Sequence, residues 1–221
     1  MTLVQTLRAV FPPPHPAGRP FIAGAAALTL VGLFLAWWLA AIALVLLVFC
    51  FYFFRDPKRV PPPRPGVLVA PADGHIVSVE QVVPPEELGL GPVAVWRVAT
   101  FLSVLDVHVN RIPGDGVVTR VAYRRGAFMS ASLDKASDLN ERNALAIRLT
   151  DGRAIAVVQI AGLIARRIVC QVAEGAAVRT GARFGIIRFG SRTDLYLPPG
   201  VLPLVAVGQT MVGGETVMAE L

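Results

Sequence analysis

The hydrophobic pattern divides the chain into two unlike parts. Residues 20–54 form a run of 35 residues without a formal charge, whereas residues 67–221 alternate short apolar runs with Gly, Pro and Asp. Between them, residues 55–66 read RDPKRVPPPRPG, a Pro-rich spacer that cannot continue a helix. The pattern predicts a basic, Pro-rich N-terminal segment at 1–19, a hydrophobic membrane anchor at 20–54, a linker at 55–66 and a globular domain at 67–221.

The length of the charge-free run discriminates between two anchor shapes. As one straight helix, its 35 residues would extend about 52 Å, beyond the roughly 30 Å hydrocarbon core of a bilayer. Trp37 and Trp38 lie at the middle of the run, although tryptophan favours the membrane interface over the bilayer centre. Basic residues flank both ends of the run, as expected for a hairpin whose two ends lie on the cytoplasmic side. We therefore expect a helical hairpin, in preference to a single long helix. Both ends and the following domain are expected on the cytoplasmic face of the cell (inner) membrane.

Beyond residue 67, short runs rich in β-branched residues alternate with turn residues such as Asp151-Gly152. The runs are VLVA, HIVSVEQVV, VAVWRVATFL, GVVTRVAY, NALAIRL, AIAVVQIAG, RRIVCQV, FGIIRF, LPLVAVG and TVMAEL. One short helix is expected near Ser132 to Asn140. The pattern predicts a mainly β domain, antiparallel and barrel- or sandwich-like, behind the N-terminal helical anchor.

Composition and charge narrow the possible partners. A net charge of +6 suits either nucleic acid or an anionic membrane surface. The apolar run favours the membrane, and no dense Lys/Arg stretch interleaved with aromatics supports nucleic-acid binding. The two cysteines, Cys50 and Cys170, form no C-x-x-C pair, so no zinc or redox motif is predicted. We expect a membrane-associated protein that binds neither nucleic acid nor metal.

Two of the three histidines lie in contexts that suit chemistry. His75 follows the motif PADG, and His108 lies in FLSVLDVHVNRIP. A lone histidine in a strand is nevertheless more often structural than catalytic. Asp106 shares a strand face with His108, so it could orient the imidazole or close a turn, and Asp73 of PADG could also simply close a turn.

The dipeptide Gly190-Ser191 follows the strand-like run GIIRF. Such a pair is usually a turn, but here the serine stands at a strand end, where glycine permits a strained backbone. This serine could attack the preceding carbonyl if a base removed its proton. Histidine is the natural base at neutral pH, and a carboxylate behind it fixes its tautomer. The residues alone leave open whether an Asp, a His and this Ser meet.

Five motifs occur in a fixed order along the chain: FFRDP, PADGHIVSV, FLSVLDVHVNRIP, DKASDLNERN and RFGSRTDLYLP. Each alone is weakly specific. Together they are similar to the short-form bacterial phosphatidylserine decarboxylases, which depend on a pyruvoyl group, and the resemblance covers nearly the whole chain. It implies a lyase of phospholipid biosynthesis that converts phosphatidylserine to phosphatidylethanolamine and carbon dioxide.

The resemblance also implies a proenzyme that cleaves itself between Gly190 and Ser191. The products would be a β chain, residues 1–190, which carries the anchor, and an α chain, residues 191–221, held together as a heterodimer. Ser191 would become the covalent pyruvoyl cofactor, which forms a Schiff base with the substrate amine and accepts the electrons released with carbon dioxide. Neither added pyridoxal phosphate nor a metal would be required.

Carried over by position, Ser191 matches the cleaved serine of the family, Asp73 its charge-relay aspartate and His108 its D-x-H histidine. Longer relatives have a second histidine three residues later, where this chain has Arg111. His108 would therefore serve both cleavage and decarboxylation, unless His75 or a water takes one task. The cleavage site reads GSR instead of the GST of many longer relatives, which we interpret as a subfamily difference.

Three arginines, Arg111, Arg142 and Arg192, are candidates for binding the substrate carboxylate or phosphate through paired hydrogen bonds, although any single arginine is more often structural. The same chemistry could act on another phosphoserine-headed lipid, such as archaetidylserine. A less favoured alternative is a membrane-tethered, lipoyl-like carrier or a lysine Schiff-base enzyme, because SLDKAS with Lys135 superficially resembles a carrier tip. Such proteins stay in one piece, whereas a pyruvoyl enzyme becomes two chains.

Overall fold

The computed structural model describes residues 12–127, 139–163, 167–188 and 190–221, and the chain divides into two compact units between Lys58 and Arg59. This division falls inside the predicted linker. Lys135 and most of the helix predicted near it lie outside the described residues.

The N-terminal unit contains two apolar helices, α1 (Arg19–Leu35) and α2 (Trp37–Phe53). Ala36 between them is extended, with φ −165° and ψ 136°, so the helix is interrupted at this residue. The N–H of His15, before α1, donates to the carbonyl of Phe54, after α2, at 2.7 Å. Because the start of α1 and the end of α2 lie side by side, the two helices run antiparallel as a hairpin.

The surface of this unit is apolar. By length and composition, one stretch of the described residues, Pro16–Leu35, is long and apolar enough to cross a membrane, whereas α2 is an apolar helix of 17 residues. Large side chains, including Phe34 and Trp37, are exposed. Exposed apolar area of this extent is unfavourable in water and favours association with a membrane.

The C-terminal unit confirms the predicted mainly β fold. Its described strands are β1 (Val67–Val69), β2 (Gly74–Val82), β3 (Val95–Leu102), β4 (Val109–Arg111), β5 (Gly116–Arg124), β6 (Arg142–Leu149), β7 (Ala154–Ala161), β8 (Ile168–Cys170), β9 (Ala177–Val178), β10 (Arg183–Ile187), β11 (Ser191–Tyr196), β12 (Thr210–Met211) and β13 (Val217–Glu220). Across the described part of the chain they form an eight-stranded sheet curled into a half-barrel, in the order β12-β2-β3-β11-β7-β6-β5-β9. A smaller sheet, β4-β10-β8, and the pair β1-β13 complete the unit.

The main core joins the curled sheet to the smaller sheet. Val157 on β7 and Phe184 on β10 belong to one buried apolar cluster. A polar contact joins the same two sheets, because Nε2 of Gln159 on β7 donates to Oδ1 of Asn110 on β4 at 2.7 Å. Gly185 on β10 leaves space for it, since a Cβ there would lie 3.0 Å from this Nε2. The smaller sheet therefore lies over one face of the larger one.

Two strand predictions failed in opposite directions. The apolar run LPLVAVG at 202–208 is a loop, with Pro203 forming only an isolated bridge; proline cannot donate to a ladder. Conversely, the local pattern does not predict the strand β11, because the charges of Arg192 and Asp194 interrupt its apolar residues. It is nevertheless buried throughout and lies inside the eight-stranded sheet.

Candidate active site

Ser191 begins β11 and is held between two neighbouring strands. It pairs with Leu102 at the end of β3 and with Ala161 at the end of β7. The residue is fully buried, and its Oγ has no hydrogen-bond partner among the described residues. A buried hydroxyl without a partner costs stability, so this placement favours a chemical role over a structural one.

Gly190 presents the peptide that would be cut. Its φ of +68° lies in the left-handed region, which glycine adopts without the strain that a Cβ would add. The nearest atom to such a Cβ would be Cγ1 of Val104 at 3.9 Å, so the backbone angle, and not space, requires glycine. The Gly190 carbonyl oxygen accepts the N–H of Gly162 at 3.1 Å. A donor at this distance can stabilise negative charge that develops on the carbonyl oxygen during attack.

His108 lies fully buried immediately before β4, beside this peptide. Its Nε2 is 3.2 Å from the amide nitrogen of Gly190, and its Nδ1 is 3.0 Å from the carbonyl oxygen of Asp106. Because a carbonyl can only accept, the proton belongs on Nδ1, and Nε2 accepts the Gly190 N–H. The N–H of Ile187, the last residue of β10, donates to the His108 carbonyl at 3.3 Å, so the backbone of His108 is bonded to the strand that precedes Gly190. The basic nitrogen thus points at the residue before Ser191.

Asp106 both closes a turn and orients the His108 imidazole, the two roles that the sequence left open, but it uses its carboxylate for the first and its backbone carbonyl for the second. Its carboxylate Oδ2 accepts the N–H of Ser103 at 2.8 Å and closes the turn after β3. Its backbone carbonyl, not its carboxylate, contacts Nδ1 of His108. The imidazole is therefore oriented by the main chain of the turn.

Asp73 lies just before β2 and joins two other segments. Its Oδ1 accepts the N–H of Gly213 at 2.7 Å, and its Oδ2 accepts Nη2 of Arg59 at 2.6 Å. Nη1 of Arg59 also lies 4.0 Å from Oε2 of Glu215. These contacts make Asp73 a clamp between the start of the domain and the segment before β13. Its charge relay to His108 remains a prediction.

Asp73→Asn tests whether this carboxylate serves the histidine or only the clamp. The charge-relay role implied by the family resemblance predicts that the substitution slows self-cleavage by about 10²-fold or more, because an amide carries no negative charge to stabilise an imidazolium. Arg59→Ala, the matched control, removes the ion pair and keeps the carboxylate, so it should slow cleavage less than about fivefold. The cleaved fraction would be followed over time by mass spectrometry. Equal losses in both variants would assign Asp73 to the clamp alone.

His75 lies on the face of the sheet opposite to Ser191. It pairs with Phe101, which in turn pairs with Arg192, and side chains directly opposite one another share a face. Arg192 follows Ser191 in the strand, so its side chain points to the other face. His75 is also exposed, whereas His108 is buried. Of these two histidines, the structure brings only His108 to the Gly190-Ser191 peptide.

Arg192 forms a buried ion pair on that opposite face. Its Nε and Nη2 lie 2.6 Å and 3.1 Å from the two carboxylate oxygens of Asp194, and neither side chain is more than 1% exposed. Burial, and then the nearby negative charge of Asp194, raise the pKa of Tyr196 to about 12. The phenol therefore stays neutral at physiological pH beside a paired charge.

The other two candidate arginines also contact protein acceptors. Nε of Arg142 lies 2.7 Å from Oε1 of Glu87, and Nη1 of Arg111 donates to the carbonyl of Gly181 at 2.9 Å. To bind a substrate headgroup, either arginine would have to exchange or share these partners. Headgroup binding by Arg111, Arg142 or Arg192 therefore remains a prediction.

A layer of buried polar side chains lies on the same face as Ser191 and was missed by sequence reasoning. Thr193 is two residues along β11 and pairs with Thr100 on β3 and Gln159 on β7. The hydroxyls of both threonines, and Nδ2 of Asn110, are buried without a hydrogen-bond partner within the described part of the chain. These groups offer hydrogen bonds to an ordered water or a headgroup next to Ser191. Single Thr, Asn and Gln residues inside apolar strands carry no sequence signal for such a layer.

The chain is similar to known proteins over its whole length. A family model described as "Phosphatidylserine decarboxylase" matches residues 46–219. A phosphatidylserine decarboxylase proenzyme from Granulibacter bethesdensis is 66% identical over 221 residues, 100% of this chain and 91% of that protein. Proenzymes of the same name from Gluconacetobacter diazotrophicus and Gluconobacter oxydans are 64% and 57% identical, with 100% of both chains covered in each case. These matches confirm the resemblance of the motifs, and the chain belongs to the phosphatidylserine decarboxylase family.

Proposed function

We propose that this protein is a phosphatidylserine decarboxylase that generates a pyruvoyl cofactor by cutting itself between Gly190 and Ser191. One observation carries the mechanism: Nε2 of His108 lies 3.2 Å from the amide nitrogen of Gly190, the residue directly before the fully buried Ser191. The full-length relatives at 57–66% identity are named as proenzymes of this activity. That name agrees with an inactive precursor that matures by cleavage.

In the cleavage step, Nε2 of His108 releases the hydrogen bond from the Gly190 N–H and accepts one from the Ser191 hydroxyl. It then takes the proton of that hydroxyl. Oγ of Ser191 then bonds to the carbonyl carbon of Gly190, while the Gly162 N–H holds the carbonyl oxygen at 3.1 Å. The C–N bond between the two residues breaks and the nitrogen takes up the proton. The chain is then joined through an ester, and residue 191 has a free amine.

In the second step, a base removes the Cα proton of residue 191 and the Cβ–O bond breaks. The Gly190 carboxylate leaves as the new C-terminus, and residue 191 becomes dehydroalanine. Tautomerisation and addition of one water release ammonia and leave a pyruvoyl group. This group supplies an electron-accepting carbonyl for decarboxylation. The residues present fit it, because the serine is buried and the preceding Gly190 contacts both a histidine and a backbone donor.

The topology supports a stable β/α heterodimer after cleavage. The strand β11 would belong to the α chain, and it pairs over six residues with β3 on one side and β7 on the other. Two further strands of the α chain also pair with strands of the β chain: strand β12 pairs with strand β2, and strand β13 pairs with strand β1. Separation of the chains would break all of these ladders at once.

The apolar N-terminal helices support a place in a membrane. The basic residues on both sides of the apolar run, such as Arg19 and Arg55, favour the cell (inner) membrane with the catalytic domain on its cytoplasmic side. The substrate would be a membrane lipid, so the N-terminal helices and the substrate would lie in the same bilayer. A phosphoserine headgroup on an ether lipid would present the same reacting atoms. Acyl and ether forms are therefore distinguished by assay of both lipids, and not by the chemistry of the site.

Intact mass spectrometry of the purified full-length protein, combined with a carbon dioxide assay on phosphatidylserine vesicles, tests the proposal. We expect two chains that divide between residues 190 and 191, with the smaller lighter by one ammonia than a chain beginning with serine. We also expect activity without added pyridoxal phosphate or metal. A single uncut chain that releases no carbon dioxide would contradict both the cofactor and the reaction.

A further inference from the structure

An exposed apolar rim lies on two sides of the peptide that would be cut. It consists of the loop after β3, with Val104 and Leu105, and the residue Leu163 after β7. These side chains are 37%, 60% and 67% exposed. Exposed apolar side chains grouped beside a functional site mark an interaction surface more often than scattered ones do.

The two parts of the rim lie on either side of the reacting serine. Leu102, which ends β3, and Ala161, which ends β7, both pair with Ser191. The following residues therefore leave the sheet at the same end, one on each side of β11. Val104 is also the nearest side chain to a Cβ built on Gly190. Any surface that contacts the rim thus lies next to the reacting bond.

Two cations lie at the same end of the sheet. Arg188 is two residues before Gly190, and its N–H donates to the carbonyl of Arg167 at 3.3 Å. This backbone contact brings the two residues together, and burial, followed by the positive charge of Arg167, lowers the pKa of Arg188. Basic side chains beside apolar tips are complementary to anionic lipid headgroups above an acyl layer.

We propose that Val104, Leu105 and Leu163, with Arg167 and Arg188, dock the catalytic domain onto an anionic phospholipid bilayer. The apolar tips insert at the boundary between headgroups and acyl chains, and the arginines contact lipid phosphates. This inference rests on the proposed function, since a membrane lipid must bring its headgroup to a buried site. A docked rim lets the headgroup reach residue 191 while the acyl chains stay in the membrane.

Activity on two forms of one headgroup tests the rim. The double variant Leu105→Ser, Leu163→Ser in the full-length protein should lose activity on phosphatidylcholine vesicles containing phosphatidylserine by about fivefold or more. On monomeric dihexanoyl-phosphatidylserine its activity should change less than about twofold. The control Val93→Ser alters a side chain that is 59% exposed before β3, at the end of this strand remote from Ser191, and should behave as wild type. Loss on both lipids, or on neither, would overturn the proposal.

A second measurement needs no activity. In Leu105→Trp, brominated phosphatidylcholine in anionic vesicles should quench tryptophan fluorescence more strongly than in the wild type, whereas Val93→Trp should add an unquenched signal. An unquenched tryptophan at position 105 would refute lipid docking and would leave the rim as a surface for another protein. If the wild type decarboxylated neither lipid, the proposed function would fail, and the quenching would still decide the role of the rim.

Discussion

Ser191→Ala should leave the chain in one piece and without detectable decarboxylase activity. Alanine has no oxygen to attack the Gly190 carbonyl, so neither the ester nor the later elimination can form. The fold should tolerate the change, because the lost hydroxyl has no partner among the described residues, and the cost in unfolding free energy should stay below about 1 kcal/mol. The loss is therefore chemical, and no amount of added phosphatidylserine should restore it.

The experiment compares intact masses, thermal unfolding and carbon dioxide release in three proteins. Ser78→Ala is the matched control, because Ser78 is also buried, with an Oγ that has no partner in the described structure, but lies within β2. It should cleave and work as the wild type does. Decarboxylation by an uncut Ser191→Ala protein would remove the pyruvoyl group from the mechanism.

His108→Gln should slow self-cleavage by about 10²- to 10⁴-fold, the usual contribution of a positioned general base. Glutamine keeps polar atoms in a fully buried position but cannot accept a proton near neutral pH. The Nδ1 contact with the Asp106 carbonyl leaves Nε2 as the basic atom at the scissile peptide. The loss of cleavage rate should therefore come from the missing basic nitrogen and not from altered packing around residue 108.

The time course of cleavage after synthesis would measure this effect, with His75→Gln as the control. His75 is exposed and shares the face of Arg192, so its replacement should leave the rate within about twofold of the wild type. Full cleavage of His108→Gln would refute its role as the base of the first step. A cleaved but inactive variant would limit His108 to decarboxylation.

The local pattern predicted the β domain well, because alternation of side chains along a strand is a property of the strand itself. It failed at β11, where Arg192 and Asp194 interrupt the apolar pattern. Their burial is possible only because they pair with each other inside the sheet. It also failed at 202–208, where apolar residues form a loop.

The motifs identified Ser191 and His108, because their side chains react and therefore leave a sequence signature. They did not identify the Gly162 N–H on the Gly190 carbonyl, or the Asp106 carbonyl on His108. Every non-proline residue has these backbone groups. Only the fold decides which of them point into the site.

By itself, the sequence determined the apolar helical segment, the mainly β domain and the family, since hydrophobic periodicity and ordered motifs are local properties. The tertiary structure alone decided which histidine meets the cleavage site. Strand register places His75 and Arg192 on one face of the sheet and Ser191 on the other, and the smaller sheet brings His108 to the Gly190 amide. His108 and Gly190, which are 82 positions apart in the chain, become neighbours only through this non-local pairing, because a strand cannot bury its inner face or satisfy its backbone groups alone.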